Sequence, residues 1–190
     1  MPTTSPLSLA RAHALAKLGG LSCGKVRAAV IVPAYAEPGL PSPDTWSATR
    51  ERYGAVDVLR IAVPGVCPSI VRAGCVSALA ALGIDTLLLL GEGECLRARF
   101  ANVVIAAVED HINFLGDNPV IGPHDANSGS RFPDMSEPYS GQLRRIASQV
   151  SDHPGGIYAA CSIESLRNEE YRERLAALGA DFAGPWIVPE

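Results

Sequence analysis

The feature that most restricts the fold is a five-residue device used twice. Ala81-Leu82-Gly83-Ile84-Asp85 and Ala177-Leu178-Gly179-Ala180-Asp181 each end an apolar-periodic stretch at a glycine and then turn to strand-like sequence. Glycine just past a helix can take the left-handed conformation that stops it. Two uses in one chain do not make a repeat protein, but they fit a helix returning to a sheet. The spacing predicts helices over residues 7–18, 42–52, 68–82, 137–150 and 166–178. Short apolar runs at 26–32, 55–63, 84–90, 102–108, 156–160 and 184–188 read as strands, several with the continuous hydrophobicity of buried parallel strands. Alternating strands and helices predict a three-layer α/β domain with a mostly parallel central sheet flanked by helices.

At 190 residues the whole chain, 1–190, is expected to be one domain with a substantial core. Hydrophobic residues are 47% and charged residues 19%, with a net charge of −4 and no basic cluster. That composition excludes disorder and argues against nucleic acid or an anionic membrane as a partner. No apolar run approaches membrane-spanning length, and Arg11, His13 and Lys17 break the first apolar segment, so it is no signal peptide. Cys23, Cys67, Cys75, Cys95 and Cys161 are scattered with no C-x-x-C pair. They read as reduced thiols of a cytoplasmic protein, with neither a metal nor another cofactor expected. In a parallel sheet, ligands sit beyond the carboxyl ends of strands, which points to residues 33–38, 63–67, 91–95, 161–164 and Trp186.

A loop at 114–136, rich in Gly, Pro, Asn, Asp and Ser, is long for a compact domain and marks function or a neighbour contact. It is flanked and filled by Glu109-Asp110-His111-Ile112-Asn113, Asn118-Pro119-Val120-Ile121-Gly122-Pro123 and Arg131-Phe132-Pro133-Asp134-Met135-Ser136. This succession resembles the trimeric purine nucleoside phosphorylase and methylthioadenosine phosphorylase family, which carries Asp-His-Ile-Asn, Asn-Pro-x-x-Gly-Pro and Arg-Phe-Pro-x-Met-Ser in order. The resemblance runs from about Val26 to Glu190 and implies a nucleoside-phosphorylase-like fold. Family members continue past the closing Val188-Pro189-Glu190, so the C-terminal part is expected to be lacking. With it would go the purine-contacting asparagine and the histidine at the ribose 5′-hydroxyl.

The resemblance implies ligand positions that this sequence has altered. The Gly-Ser-Gly phosphate turn is Pro33-Ala34-Tyr35, so a hydroxyl and an amide donor are lost. The Gly-Arg-x-His-x-Tyr motif aligns with Leu59-Arg60-Ile61-Ala62-Val63-Pro64, which keeps only Arg60. Asn-Ala-Ala-Gly-Gly becomes Gly91-Glu92-Gly93-Glu94-Cys95, and the phosphate serine becomes Trp186. A carboxylate ~4 Å from a phosphate oxygen costs on the order of several kcal/mol. Inorganic phosphate is therefore not an expected substrate. The purine glutamate aligns with Arg167, with Glu164 three residues earlier, and the aromatic residue lent by a neighbouring subunit aligns with Ser128. Asp110, His111, Asn113, Asn118, Asp125, Arg131 and Tyr139 belong mainly to the family's frame, where buried polar contacts would hold the loop.

Three readings of the altered pocket follow. In the first, Glu92 and Glu94, with Trp186, attract a cation, since a carboxylate beside an indole suits an ammonium or iminium group. Glu92 would exchange protons, with Glu94 and His111 as further catalytic candidates. Tyr35, Arg60, Glu164 and Trp186 would bind the small-molecule substrate, in a ring closure of the kind found in secondary metabolism. In the second reading the pocket is vestigial, with Glu92 filling it as the partner of Arg60. The third is a nucleoside hydrolase or residual phosphorylase. A homo-oligomer, a trimer by resemblance, or a complex with a related chain is expected in each case.

Overall fold

The computed structural model describes residues 26–33, 46–63, 69–116, 130–150 and 153–185. The expected helix over 7–18, Tyr35, most of the long loop and Trp186 lie outside these residues. Contacts group the chain into two compact units, residues 1–91 with 118–128, and residues 92–117 with 129–190.

The first unit is built on a four-stranded sheet. Its strands are β1 (Ala28–Pro33), β2 (Ser47–Tyr53), β3 (Val56–Val63) and β4 (Thr86–Leu89), in the order β2-β3-β1-β4. β1 pairs in parallel with β3, from Ala28↔Val58, and with β4, from Ala28↔Thr86. The end of β3, Ile61, Ala62 and Val63, is fully buried, as expected where both faces of a sheet are covered. Helix α1 (Ser69–Ala81) ends at Gly83, whose φ is 81°. The Gly83 amide donates to Ala80 and the Ile84 amide to Leu79, the two bonds of a Schellman cap.

Residues 42–52 were expected to be helical, and here the fold differs. Ser47–Tyr53 is strand β2, antiparallel to β3, with Tyr53 paired to Val56 across a two-residue loop. Gly54 opens that loop at φ 60°, as a type II′ hairpin turn requires. The segment Ser-Ala-Thr-Arg-Glu-Arg-Tyr lacks an apolar stripe at helical spacing, and its charges are met diagonally across the hairpin instead. Arg50 donates to Asp57 at 2.6 Å, and Arg60 lies 3.8 Å from Glu51.

The second unit holds β5 (Glu94–Cys95), β6 (Ala107–Asn113), β7 (Gly155–Ala160) and β8 (Phe182–Gly184), in the order β5-β8-β7-β6. β6, β7 and β8 are parallel, and β5 runs antiparallel to β8. The strand expected over 102–108 is displaced along the chain to β6. Val104 and Ile105 have the right composition but stand 94% and 64% exposed, because pairing with β7 begins only at Ala107↔Gly155.

Helices α2 (Gly141–Val150), α3 (Ile163–Leu166) and α4 (Glu169–Ala177) belong to this unit. One helix was expected over 166–178; there are two, because Asn168 caps a new one. Its side chain accepts the Tyr171 amide at 3.2 Å, and Glu169 and Glu170 complement the first turn. α4 ends at Gly179 (φ 106°), with the Gly179 amide on Ala176 and the Ala180 amide on Leu175. Ala159, Cys161, Leu166, Leu175, Ala180 and Ala183 form the core here, with Leu96 and Tyr171 packed on it.

Candidate functional site

The carboxyl ends of β6, β7 and β8 lie at one edge of the second sheet, because the three strands are parallel. β5 runs the other way, with Glu94 paired to Ala183, so the turn Glu92-Gly93-Glu94 enters at that same edge. Two glycines permit the approach. A Cβ on Gly184 would lie 2.5 Å from the Tyr158 hydroxyl and 2.6 Å from the Glu92 carbonyl oxygen. A Cβ on Gly93 would lie 3.1 Å from the Ala183 carbonyl oxygen and 3.3 Å from the Tyr158 ring. The turn that carries both glutamates therefore rests on a floor of Gly184 and Tyr158. Glu164 reaches this edge from the first turn of α3, which begins three residues after β7 ends. Ser162 caps that turn by accepting the Ser165 amide at 3.1 Å. Glu92, Glu94 and Glu164 are all exposed.

Register assigns these residues to faces. Glu94 shares a row with Ala183, Ala159 and Ile112, whereas His111 shares the adjacent row with Tyr158, Phe182 and Cys95. Adjacent rows point to opposite faces of a sheet, and three strand spacings of ~4.8 Å separate Glu94 from His111 by roughly 14 Å. The backbone thus brings the Glu92-Gly93-Glu94 turn and the start of α3, which bears Glu164, to the same end of the sheet, whereas His111 lies on the edge strand β6.

Around His111 the contacts are those of a packed frame. The Tyr139 hydroxyl lies 3.2 Å from its Nδ1, and the two rings meet edge to face at 5.7 Å. Burial, followed by the charge of Asp110, pushes the Tyr139 hydroxyl far above its ordinary value. It stays protonated and can donate to the imidazole. On the other face, burial and then the Glu94 carboxylate raise the Cys161 thiol, so it remains neutral.

Asp181 holds the floor in place. It is 4% exposed, and its carboxylate accepts the Ile157 amide at 3.0 Å and Arg99 at 2.7 Å, with Arg97 at 3.1 Å. Burial disfavours its charge, yet the Ile157 amide and the two guanidiniums outweigh that and keep its carboxyl below the usual range. Its backbone carbonyl receives the Leu96 amide at 2.9 Å, which ties β5 to the start of β8. Arg97 also donates to the Ala176 and Ala180 carbonyls, covering the open end of α4.

Sequence reasoning missed Tyr158 and Asp181. The signal for both was available: Asp181 closes the second copy of the repeated device, and Tyr158 is the one large aromatic in Gly155-Gly156-Ile157-Tyr158-Ala159-Ala160. Arg60 belongs to the first unit, where its Nε lies 3.8 Å from Glu51. Among the described residues no group of three or more His, Cys, Asp or Glu side chains is arranged to hold a metal ion. No described helix is long and apolar enough to cross a membrane.

Comparison with known proteins gives a consistent result. The sequence is 34% identical over 120 residues to purine nucleoside phosphorylase 1 of Geobacillus stearothermophilus, covering 60% of this chain and 44% of that protein. It is also 34% identical over 119 residues to the rat purine nucleoside phosphorylase, covering 57% and 41%. The matches thus span less than half the length of these relatives. No protein-family model matches. Among solved structures, a Schistosoma mansoni purine nucleoside phosphorylase bound to a monocyclic inhibitor superposes with a TM-score of 0.79 at 16% identity, covering 98% of this chain and 82% of that one. An isoform 2 enzyme from the same organism, bound to cytosine and ribose-1-phosphate, gives 0.77 at 19% identity, covering 95% and 76%.

Proposed function

Since this chain is a relative of the purine nucleoside phosphorylases and has their α/β fold, we propose that it has given up phosphorolysis for acid–base chemistry on a small amine or iminium substrate. The observation that supports this reading is the carboxyl end of the second sheet, where the Glu92-Gly93-Glu94 turn rests against Gly184 and the helix bearing Glu164 follows β7. Anions are repelled by such an edge, and an ammonium group is attracted.

In the proposed reaction Glu94 and Glu164 hold the substrate's ammonium group, and Glu92 removes one of its protons. The freed nitrogen lone pair attacks a carbonyl carbon of the same molecule, closing a ring as the C–O π pair moves to oxygen. Glu92 returns its proton to that oxygen, then takes a second proton from the ring nitrogen and passes it to the new hydroxyl, which leaves as water as the nitrogen lone pair forms the C=N bond of an iminium. Trp186 and Tyr35 are assigned to substrate binding on sequence grounds alone. His111, three strands away from Glu94, has a framework role in this scheme. Kinship also supports a homo-oligomer, and a cytoplasmic location remains part of the same reading.

The test is turnover of a panel of amino-ketones by the intact protein and its Glu92→Gln variant. A positioned general base contributes ~10²–10⁴-fold, so the variant is expected to lose at least a hundredfold in rate while keeping its fold. Unchanged turnover removes Glu92 from the mechanism. A non-catalytic scaffold is the second reading, favoured by the Arg60–Glu51 pair, which already supplies an anion to the one retained phosphate ligand. It predicts no turnover in either protein.

A further inference from the structure

At the opposite, amino end of the second sheet lies an open groove of about 360 Å³ that the proposed chemistry does not use. A β-bulge in β6 between Val108 and Asp110 takes Glu109 out of register. Bulges re-aim side chains, and this one sends Glu109 across Gly155, where an added Cβ would lie 2.2 Å from Oε1. Arg144 of α2 donates to Glu109 at 3.0 Å and lies 3.9 Å from Glu137. Glu137 also accepts the Gly141 amide at the start of α2. Arg145 and His153 complete the charged lining.

Two features mark the groove as more than a surface crease. Arg144 Nε and His153 Nδ1 are buried polar atoms without a hydrogen-bond partner among the described residues, and both residues line it. Buried polar atoms are ordinarily satisfied, and these two exceptions fall together in the wall of one groove. The acidic and basic side chains of the lining, moreover, balance: Glu109 and Glu137 against Arg144 and Arg145. A ligand of either single charge meets as much repulsion as attraction there. A molecule with both signs can place its ammonium on the glutamates and its carboxylate toward Arg145 and His153.

We propose that this groove binds a small zwitterion, with the chemistry of a free amino acid. The test is titration of the ¹⁵N-labelled full chain with L-alanine, and separately with ethylamine and propionate, which each carry one of its charged groups. The expected result is saturable shifts of the Gly141 and Gly155 amides with L-alanine, at least tenfold weaker affinity for either half, and a similar loss in Arg145→Ala. Glu92→Gln should leave this binding unchanged, which separates it from the carboxyl-edge chemistry. Absence of saturable shifts, equal binding of propionate alone, or full binding by Arg145→Ala would overturn the proposal.

Discussion

The two copies of the Ala-Leu-Gly-x-Asp device share their local geometry and differ in what the aspartate does. In both, a glycine at positive φ receives the helix with the same pair of hydrogen bonds, and the residue after it is buried against the helix: Ile84 on Leu79, Ala180 on Leu175. Both aspartate amides donate to a carbonyl beside the neighbouring parallel strand, Asp85 to Arg27 and Asp181 to Ile157. From there they part. Asp85 is half-exposed and pairs with the exposed Arg27. Asp181 is buried beneath Arg97 and Arg99 and accepts a backbone amide as well. The same five-residue signal therefore ends one helix and, in the second unit, also anchors the strands beneath the glutamate turn. Local sequence fixes the cap; the partners brought by the rest of the chain decide whether the aspartate carries weight.

Substituting the aspartates separates the copies most sharply. Asp181→Ala strips the Ile157 amide and two guanidiniums of their shared acceptor, a loss of about 1–3 kcal/mol on the scale of an unsatisfied buried amide, since Arg97 and Arg99 keep access to water. Thermal unfolding should fall by ~2–12 °C for a chain of this size. Asp85→Ala should leave the midpoint within experimental error, since exposed pairs contribute little. Equal effects would dissolve the distinction.

The glycines come next and should behave alike. Neither Gly83 nor Gly179 has an atom within 4 Å of an added Cβ, so alanine there tests the backbone alone. Each substitution should cost about 1–2 kcal/mol, with Gly179→Ala the worse because its φ of 106° lies further from the left-handed minimum. A neutral result at either position in chemical denaturation would show that the cap is not held by glycine.

Acid and salt give the smallest and most discriminating readout. Both carboxyls are lowered in the folded state, Asp181 against the opposing effect of burial, Asp85 through its bond from Arg27. Their stabilisation is therefore present above the unfolded value of about 4 and is lost as pH falls through the folded value. Asp181→Asn should flatten the acid limb of the stability profile measurably. Raising salt at neutral pH should weaken the Asp85 contribution and leave that of Asp181 nearly intact, because buried pairs are poorly screened. An acid limb unchanged in Asp181→Asn would mean that other carboxyls carry it.

Much of the fold was legible because its signals are local. β1, β3, α1 and β7 lie within a residue or two of the runs that predicted them, since continuous apolar stretches bounded by glycine or proline leave little choice. β2 was misread because its charges are satisfied by cross-strand partners, Asp57 and Glu51–Arg60, that no helical window contains. β6 was displaced because exposed Val104 and Ile105 look like a buried strand until the pairing with β7 is known. At the site, the turn bearing Glu92 and Glu94 was identifiable from the altered motif. Its floor was not, because the contact of Gly184 with Tyr158 and the Glu92 carbonyl depends on the register of three strands.

On the proposed reading, a nucleoside-phosphorylase-like fold receives a cation rather than phosphate at the sheet edge that carries Glu92 and Glu94. Calorimetric titration of the full chain with inorganic phosphate, with inosine in its presence, and with cyclic amines tests this directly. No heat from phosphate, no phosphate-dependent inosine binding, and amine binding that disappears in Glu92→Gln are expected. Phosphate-dependent binding of inosine, with release of its base, would contradict it.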